Sequence, residues 1–159
     1  MGRKKPSGKN TDALLRGLFF LYCLVMVWLL FGQRFSADIE GGYSQGVPVS
    51  INLIPFATVR LYWQLLTTSS NTYLVQHAFI NLAGNVLMFV PLGVCIPALW
   101  RKERNFFLFF LTVALVIAAV EGVQLLTRLG SCDIDDFLLN MVGALLGYVV
   151  WCLFFRKKK

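Results

Sequence analysis

Residues 77–127 read HAFINLAGNVLMFVPLGVCIPAL, then WRKERN, then FFLFFLTVALVIAAVEGVQLLT. A hydrocarbon core about 30 Å thick needs roughly 20 apolar residues in helix, at about 1.5 Å rise per residue. Each of the two runs meets that length, and the break between them carries Arg101, Lys102 and Arg104. Two membrane crossings joined by a tight basic loop decide the fold class.

Working outward, residues 17–32 and 137–155 are apolar runs of the same kind, bracketed by polar or charged residues. The expected architecture is all-α: a polytopic membrane helical bundle of four transmembrane helices near 17–32, 77–99, 106–127 and 137–155. One membrane domain over 17–155 is expected between basic tails at 1–16 and 156–159. Composition agrees, since 57% of the 159 residues are hydrophobic and only 14% charged, which suits a surface facing lipid rather than water. A cleaved signal peptide is the competing reading of the first run, and bulky Phe35, third before a cut after Ala37, argues against it.

Loop charge sets the orientation, because cytoplasmic loops retain Lys and Arg. With both termini inside, the cytoplasm holds Arg3, Lys4, Lys5, Lys9, Arg16, Arg101, Lys102, Arg104, Arg156, Lys157, Lys158 and Lys159, twelve of the fifteen basic residues. Arg34, Arg60 and Arg128 fall outside. The net charge of +7 therefore reads as anchoring to anionic lipid, not as a nucleic-acid surface. Cys23, Cys95 and Cys152 lie in apolar stretches and Cys132 in a loop, so a disulfide framework is not expected.

The outer segment 33–76 contains Ile51-Asn52-Leu53-Ile54-Pro55-Phe56, where proline stops any helix begun earlier. Residues 58–66 then suit a short helix, interfacial or re-entrant, with Val59, Tyr62, Trp63 and Leu66 on one side.

Carboxylates and amides are expensive inside a membrane span, about 2.5 to 3.5 kcal/mol for a central charge on insertion scales. His77, Asn81 and Asn85 recur every four residues on one face of the second span. Glu121 and Gln124 share a face near the outer end of the third. Asp133, Asp135 and Asp136 open the fourth, where Asp136, Asn140, Gly143 and Gly147 follow on one face. Antiparallel packing would gather Asn81, Asn85, Glu121, Gln124, Asp136 and Asn140 at the outer side. The bland readings are interhelical hydrogen bonding for the amides, helix capping for the aspartates and an ordinary packing kink at Pro91. Glu121 resists such a reading, because a carboxylate that deep must be protonated, paired or wet. Gly143 and Gly147 form a Gly-x-x-x-Gly surface on which a second helix or a second copy of the chain can pack.

Taken in order, Asn52 to Phe56, Asn81 with Gly84-Asn85, Phe89-Val90-Pro91-Leu92-Gly93, Glu121-Gly122-Val123-Gln124, and Asp133 to Asp136 with Asn140 and Gly143 resemble the VanZ-like family of small bacterial membrane proteins. The resemblance covers roughly residues 50 to 150. It implies a multi-pass protein of the bacterial cytoplasmic membrane and cell envelope, tied to glycopeptide resistance of the teicoplanin type. It brings no settled reaction.

The leading expectation is an outward-facing polar pocket of Asn81, Asn85, Glu121, Gln124, Asp133, Asp136 and Asn140. With Arg60 reaching a phosphate, it would bind an envelope lipid, a lipid-linked wall precursor or an amphiphilic drug. One rival is an intramembrane enzyme using Glu121, Asp133 and Asp136 on a lipid-linked substrate, although no nucleophile–base pair stands out. Another is a small oligomeric transporter or flippase built through Gly143 and Gly147. No cofactor is expected beyond a divalent cation on those carboxylates, and a lone His77 makes no zinc set.

Overall fold

A computed structural model describes residues 8–32, 51–127 and 132–156. Five helices are described: α1 (Gly8–Val27, continued by a π turn over Trp28–Gly32), α2 (Ala57–Thr68), α3 (Thr72–Leu99), α4 (Phe106–Thr127) and α5 (Ile134–Phe154). Four are long and apolar enough to cross a membrane, over Asp12–Phe31, Thr72–Leu99, Phe106–Thr127 and Ile134–Phe154. The third expected span has the observed bounds, while α1, α3 and α5 begin before the apolar runs do. For α3 and α5 the reason is capping, which sequence hydropathy does not register.

Three helices start by a simple rule, in which a side-chain oxygen takes backbone N–H groups that the first turn leaves unsatisfied. Asn71 accepts from Tyr73 and Leu74 at 3.0 and 3.4 Å. Asn105 accepts from Phe107 and Leu108 at 3.0 and 3.1 Å. Asp133 accepts from the Asp135 amide at 2.9 Å. The α2 helix breaks the rule: its cap position is Phe56, with φ 62° and no side-chain cap of its own.

α3 and α5 run parallel and meet backbone to backbone. A Cβ on Gly143 would strike the Val86 carbonyl, one on Gly147 the Val90 carbonyl, and one on Gly93 the Ala144 carbonyl. Close approach through small residues is how helices associate where lipid removes the hydrophobic drive between them. The Gly143–Gly147 face, expected to receive a second helix or a second copy, is occupied by α3 of the same chain. α4 runs antiparallel to α5, burying Phe109, Val113, Ile117, Glu121 and Gln124, one residue per turn. Phe109 packs on Tyr148 with ring centroids 4.5 Å apart.

Among the described residues, three contacts along its length help attach α1. Phe19 meets Trp100 edge-on at 5.5 Å, the Tyr22 hydroxyl donates to the Met88 carbonyl at 2.7 Å, and Gln124 Nε2 donates to the Leu30 carbonyl in the π turn at 3.3 Å. Met88 lies three residues before Pro91, which has no N–H to give the turn preceding it. α3 nevertheless continues unbroken through Pro91 and Pro97, and Tyr22 adds a donor beside the defect, as neighbouring helices do around intramembrane proline. The four cysteines are free, as their placement predicts.

The exposed Arg16, Arg101, Lys102, Arg104 and Arg156 gather at one end of the bundle. There Arg104 lies over the Trp151 ring, 5.7 Å from its centroid, and the Tyr148 hydroxyl donates to the Arg104 carbonyl at 2.8 Å. The opposite end carries α2 and the paired segments that hold it. Residues 33–50 and 128–131, and with them Arg34 and Arg128, lie outside the described residues, as do the extreme tails 1–7 and 157–159.

Candidate functional site

At the end opposite the basic cluster, β1 (Ile51–Asn52) pairs in parallel with β2 (Cys132–Asp133), Ile51 facing Cys132 and Asn52 facing Asp133. This short ladder carries the chain before α2 alongside the chain before α5. Pro55 and Phe56 then form a turn closed by the Ala57 amide on the Ile54 carbonyl at 3.3 Å. Pro at the second position and positive φ at the third are the type II pattern, which ordinarily wants Gly where Phe56 stands. The N–H groups of Phe56, Thr58 and Val59, in and just after this turn, find one acceptor.

That acceptor is Asp135, wholly buried. One carboxylate oxygen accepts from the Phe56 amide at 2.5 Å, the other from Thr58 and Val59 at 2.8 and 3.0 Å. Its neighbour Asp133 accepts from the Thr58 hydroxyl at 2.6 Å and from Asn52 Nδ2 at 3.4 Å. Asp135 is therefore the cap of α2, supplied from α5, and negative charge at a helix N-terminus is electrostatically favoured. The sequence allowed Asp136, and Asp133 or Asp135, to be only helix caps; Asp133 caps its own helix and Asp135 caps α2. It gave Asn52 and Thr58 no part in the site.

In the same first turn of α5, Asp136 accepts from Asn85 Nδ2 of α3 at 2.6 Å, bringing together two of the expected residues. Asn140 follows at 2% exposure, and its Oδ1 is buried with no donor among the described residues. Glu121 and Gln124 end the buried stripe of α4, both 6% exposed. Glu121 lies near β2: burial first, then the Glu121 carboxylate and then that of Asp133, push the Cys132 thiol up from its ordinary value.

The expected convergence is only partial. Asn81 turns back on its own helix, donating to the His77 carbonyl at 2.8 Å, while His77 lies between the rings of Tyr62 and Tyr73 at 6.1 and 6.3 Å. Gln124 is engaged with α1, as described. Arg60 stands exposed on α2. Among the described residues no group of three or more His, Cys, Asp or Glu is arranged to hold a metal ion. What the fold does assemble is a set of oxygen acceptors, Asp133, Asp135, Asp136, Glu121 and Asn140, at one end of an apolar bundle.

The VanZ/LLP1 family model matches residues 19–155, from within α1 to the residue after α5. The chain belongs to the VanZ/LLP1 family. Protein VanZ of Enterococcus faecium is 30% identical over 141 residues, covering 88% of this chain and 74% of that protein. No solved structure matches the chain. Family membership and four apolar helices together mark a VanZ-like membrane protein. The family match encloses both halves of the α2 clamp, Asn52 to Val59 and Cys132 to Asp135, as well as the Asn85–Asp136 pair.

Proposed function

We propose that this VanZ-like protein acts in the bacterial cytoplasmic membrane in resistance to glycopeptide antibiotics, by holding an amphiphilic envelope component or drug at its polar end. The observation that carries the reading is the set of buried acceptors at one end of an otherwise apolar bundle, above all Asn140, whose carbonyl oxygen no described group satisfies. Buried polar groups in a membrane span are costly and concentrate where a ligand or pathway needs them. Orientation follows from the opposite end, where the basic residues of α1, the α3–α4 turn and the end of α5 favour the cytoplasm. That assignment puts the acceptor end on the side where wall precursors and glycopeptides are met.

The test is susceptibility to a panel of glycopeptides in a Gram-positive host expressing wild type, Glu121→Gln or Asp136→Asn at matched membrane levels. Protection by the wild type that both variants lose supports a working site. Protection that survives both substitutions removes the polar end from the mechanism, and absence of protection by the wild type refutes the resistance reading.

A further inference from the structure

Asp136 and Asn140 stand one turn apart on the same face of α5. A helical side chain leans toward the N-terminus of its helix, so that of Asn140 covers the turn bearing Asp136. Asn85 closes the α3 side by donating to the Asp136 carboxylate at 2.6 Å. Asn140 is 2% exposed and its Oδ1 lacks a donor among the described residues, a state that native interiors rarely tolerate without a water, ion or ligand to complete it.

The chemistry of the missing group follows from its neighbours. Asp136, which accepts from Asn85, sets a carboxylate one turn from the amide oxygen. Asp133 and Asp135, just above, are carboxylates engaged with Thr58, Asn52 and the α2 amides. A phosphate or sulfate would bring further negative charge against them. A neutral hydroxyl has one proton to give. A primary ammonium has three N–H donors and a positive charge, and serves the amide and the carboxylate together. The surrounding helices expose Ile80, Leu87, Val142 and Leu146, an apolar flank suited to a hydrocarbon tail.

We propose that Asp136 and Asn140 form a site for a primary ammonium carried by an amphiphile, which donates to Asn140 Oδ1 and to the Asp136 carboxylate. The inference rests on the reading above only in taking the polar end as a binding site. Its source is either a membrane lipid with an amine headgroup or an amphiphilic amine from outside.

The full chain in phosphatidylcholine nanodiscs is titrated with dodecylammonium and with dodecyltrimethylammonium, which has the charge but no N–H donor. Wild type is expected to bind the primary ammonium saturably and the quaternary one about tenfold or more weakly, the usual scale for losing hydrogen bonds to a charged group. Asn140→Leu, similar in size, is expected to show the same weakening, and Asn140→Asp, which adds a second carboxylate, tighter binding. Asp136→Asn supplies an independent variant should Asn140→Leu fail to fold. Equal affinity for the two ammonium compounds, or equal affinity of wild type and Asn140→Leu for the primary one, overturns the proposal. In mixed nanodiscs, phosphatidylethanolamine enriched around wild type but not Asn140→Leu identifies the lipid source, and binding of the added amine alone identifies the external one. The two readings fail separately. Loss of glycopeptide protection in Asp136→Asn with unchanged ammonium binding overturns this site and spares the resistance role. Ammonium binding lost in Asn140→Leu, with no protection by wild type, does the reverse.

Discussion

Removing the Asp135 carboxylate should detach the start of α2 from the bundle while leaving the bundle intact. Three backbone N–H groups, of Phe56, Thr58 and Val59, end on that one fully buried side chain. Hydrogen bonds to a charged acceptor contribute about 1.5 to 3 kcal/mol each, and loss of a helix cap costs about 0.5 to 2 kcal/mol. The three share one group and are not additive. Against them stands Phe56, held at φ 62°, where an L residue is strained by about 1 to 2 kcal/mol, so release recovers part of the loss. For Asp135→Ala the net is about 3 to 4 kcal/mol against the docked turn, or roughly two to three orders of magnitude in its opening equilibrium. Asp135→Asn should cost about half as much, because its amide oxygen can still serve Thr58 and Val59 while its NH2 group faces the Phe56 donor.

Hydrogen exchange of the purified protein, followed by mass spectrometry, reads this directly. The amides of 56–60 should exchange about a hundredfold faster or more in Asp135→Ala, with an intermediate effect in Asp135→Asn. The amides of 141–148, in the α3–α5 contact, should be unaffected. If the 56–60 amides keep their protection in Asp135→Ala, the carboxylate does not hold α2 and the clamp is refuted.

Gly143→Ala places a methyl group against the Val86 backbone carbonyl and should cost about 2 to 3 kcal/mol or abolish folding; Gly84→Ala, in open space on α3, should be neutral to stabilising in thermal unfolding, and equal effects would refute the packing described. Tyr22→Phe removes the donor to the Met88 carbonyl and should lower stability by about 1 kcal/mol, read as earlier loss of protection in α1 than in α5. Burial, and after it the negative charge of Glu121, disfavours the Cys132 thiolate, so Glu121→Gln lowers the pH at which the thiolate forms and should speed maleimide labelling of Cys132 near about pH 7.5; an unchanged rate separates the two residues. Asn85→Leu should destabilise the start of α5 by removing a donor to the Asp136 carboxylate, whereas Asn81→Ala, which breaks a bond to its own helix, should cost about 1 kcal/mol or less.

The four spans were legible because span length and loop charge are local properties. The 106–127 helix reads directly from hydropathy, and Asn105 immediately before it is a recognisable cap. The starts of α3 and α5 shifted because Asn71 and Asp133 cap segments whose first residues are not all apolar. The candidate site was half legible. Spacing of four put Asp136 and Asn140 on one face, and carboxylates in apolar company flagged Glu121. Spacing could not say which helix each face meets. Asn81 and Asn85 share a face of α3, yet one bonds its own backbone and the other reaches α5. The Gly143–Gly147 surface was legible as a close-packing face but its neighbour was not, since a glycine motif specifies approach and not partner.

The clamp on α2 had a sequence signal of a different kind, an unmet need in one segment and a surplus in another. Pro55-Phe56-Ala57 opens a helix with no Ser, Thr, Asp or Asn to cap it, and Asp133, Asp135 and Asp136 supply more carboxylates than one helix start requires. Joined through β1 and β2, the two become complementary. That arrangement also accounts for Phe56 where a glycine would relieve the backbone. Glycine would make the turn stable by itself, whereas a strained Phe56 keeps its conformation only while Asp135 accepts its N–H. The position of α2 is thereby made to depend on the start of α5, the same two turns that carry Asp136 and Asn140. Strained residues persist where the surroundings over-determine them, commonly beside functional sites. Coupling α2 to the acceptor cluster through one buried carboxylate gives that strain a physical reason, and Phe56→Gly, which would leave α2's turn formed even in Asp135→Ala, is the substitution that separates the two contributions.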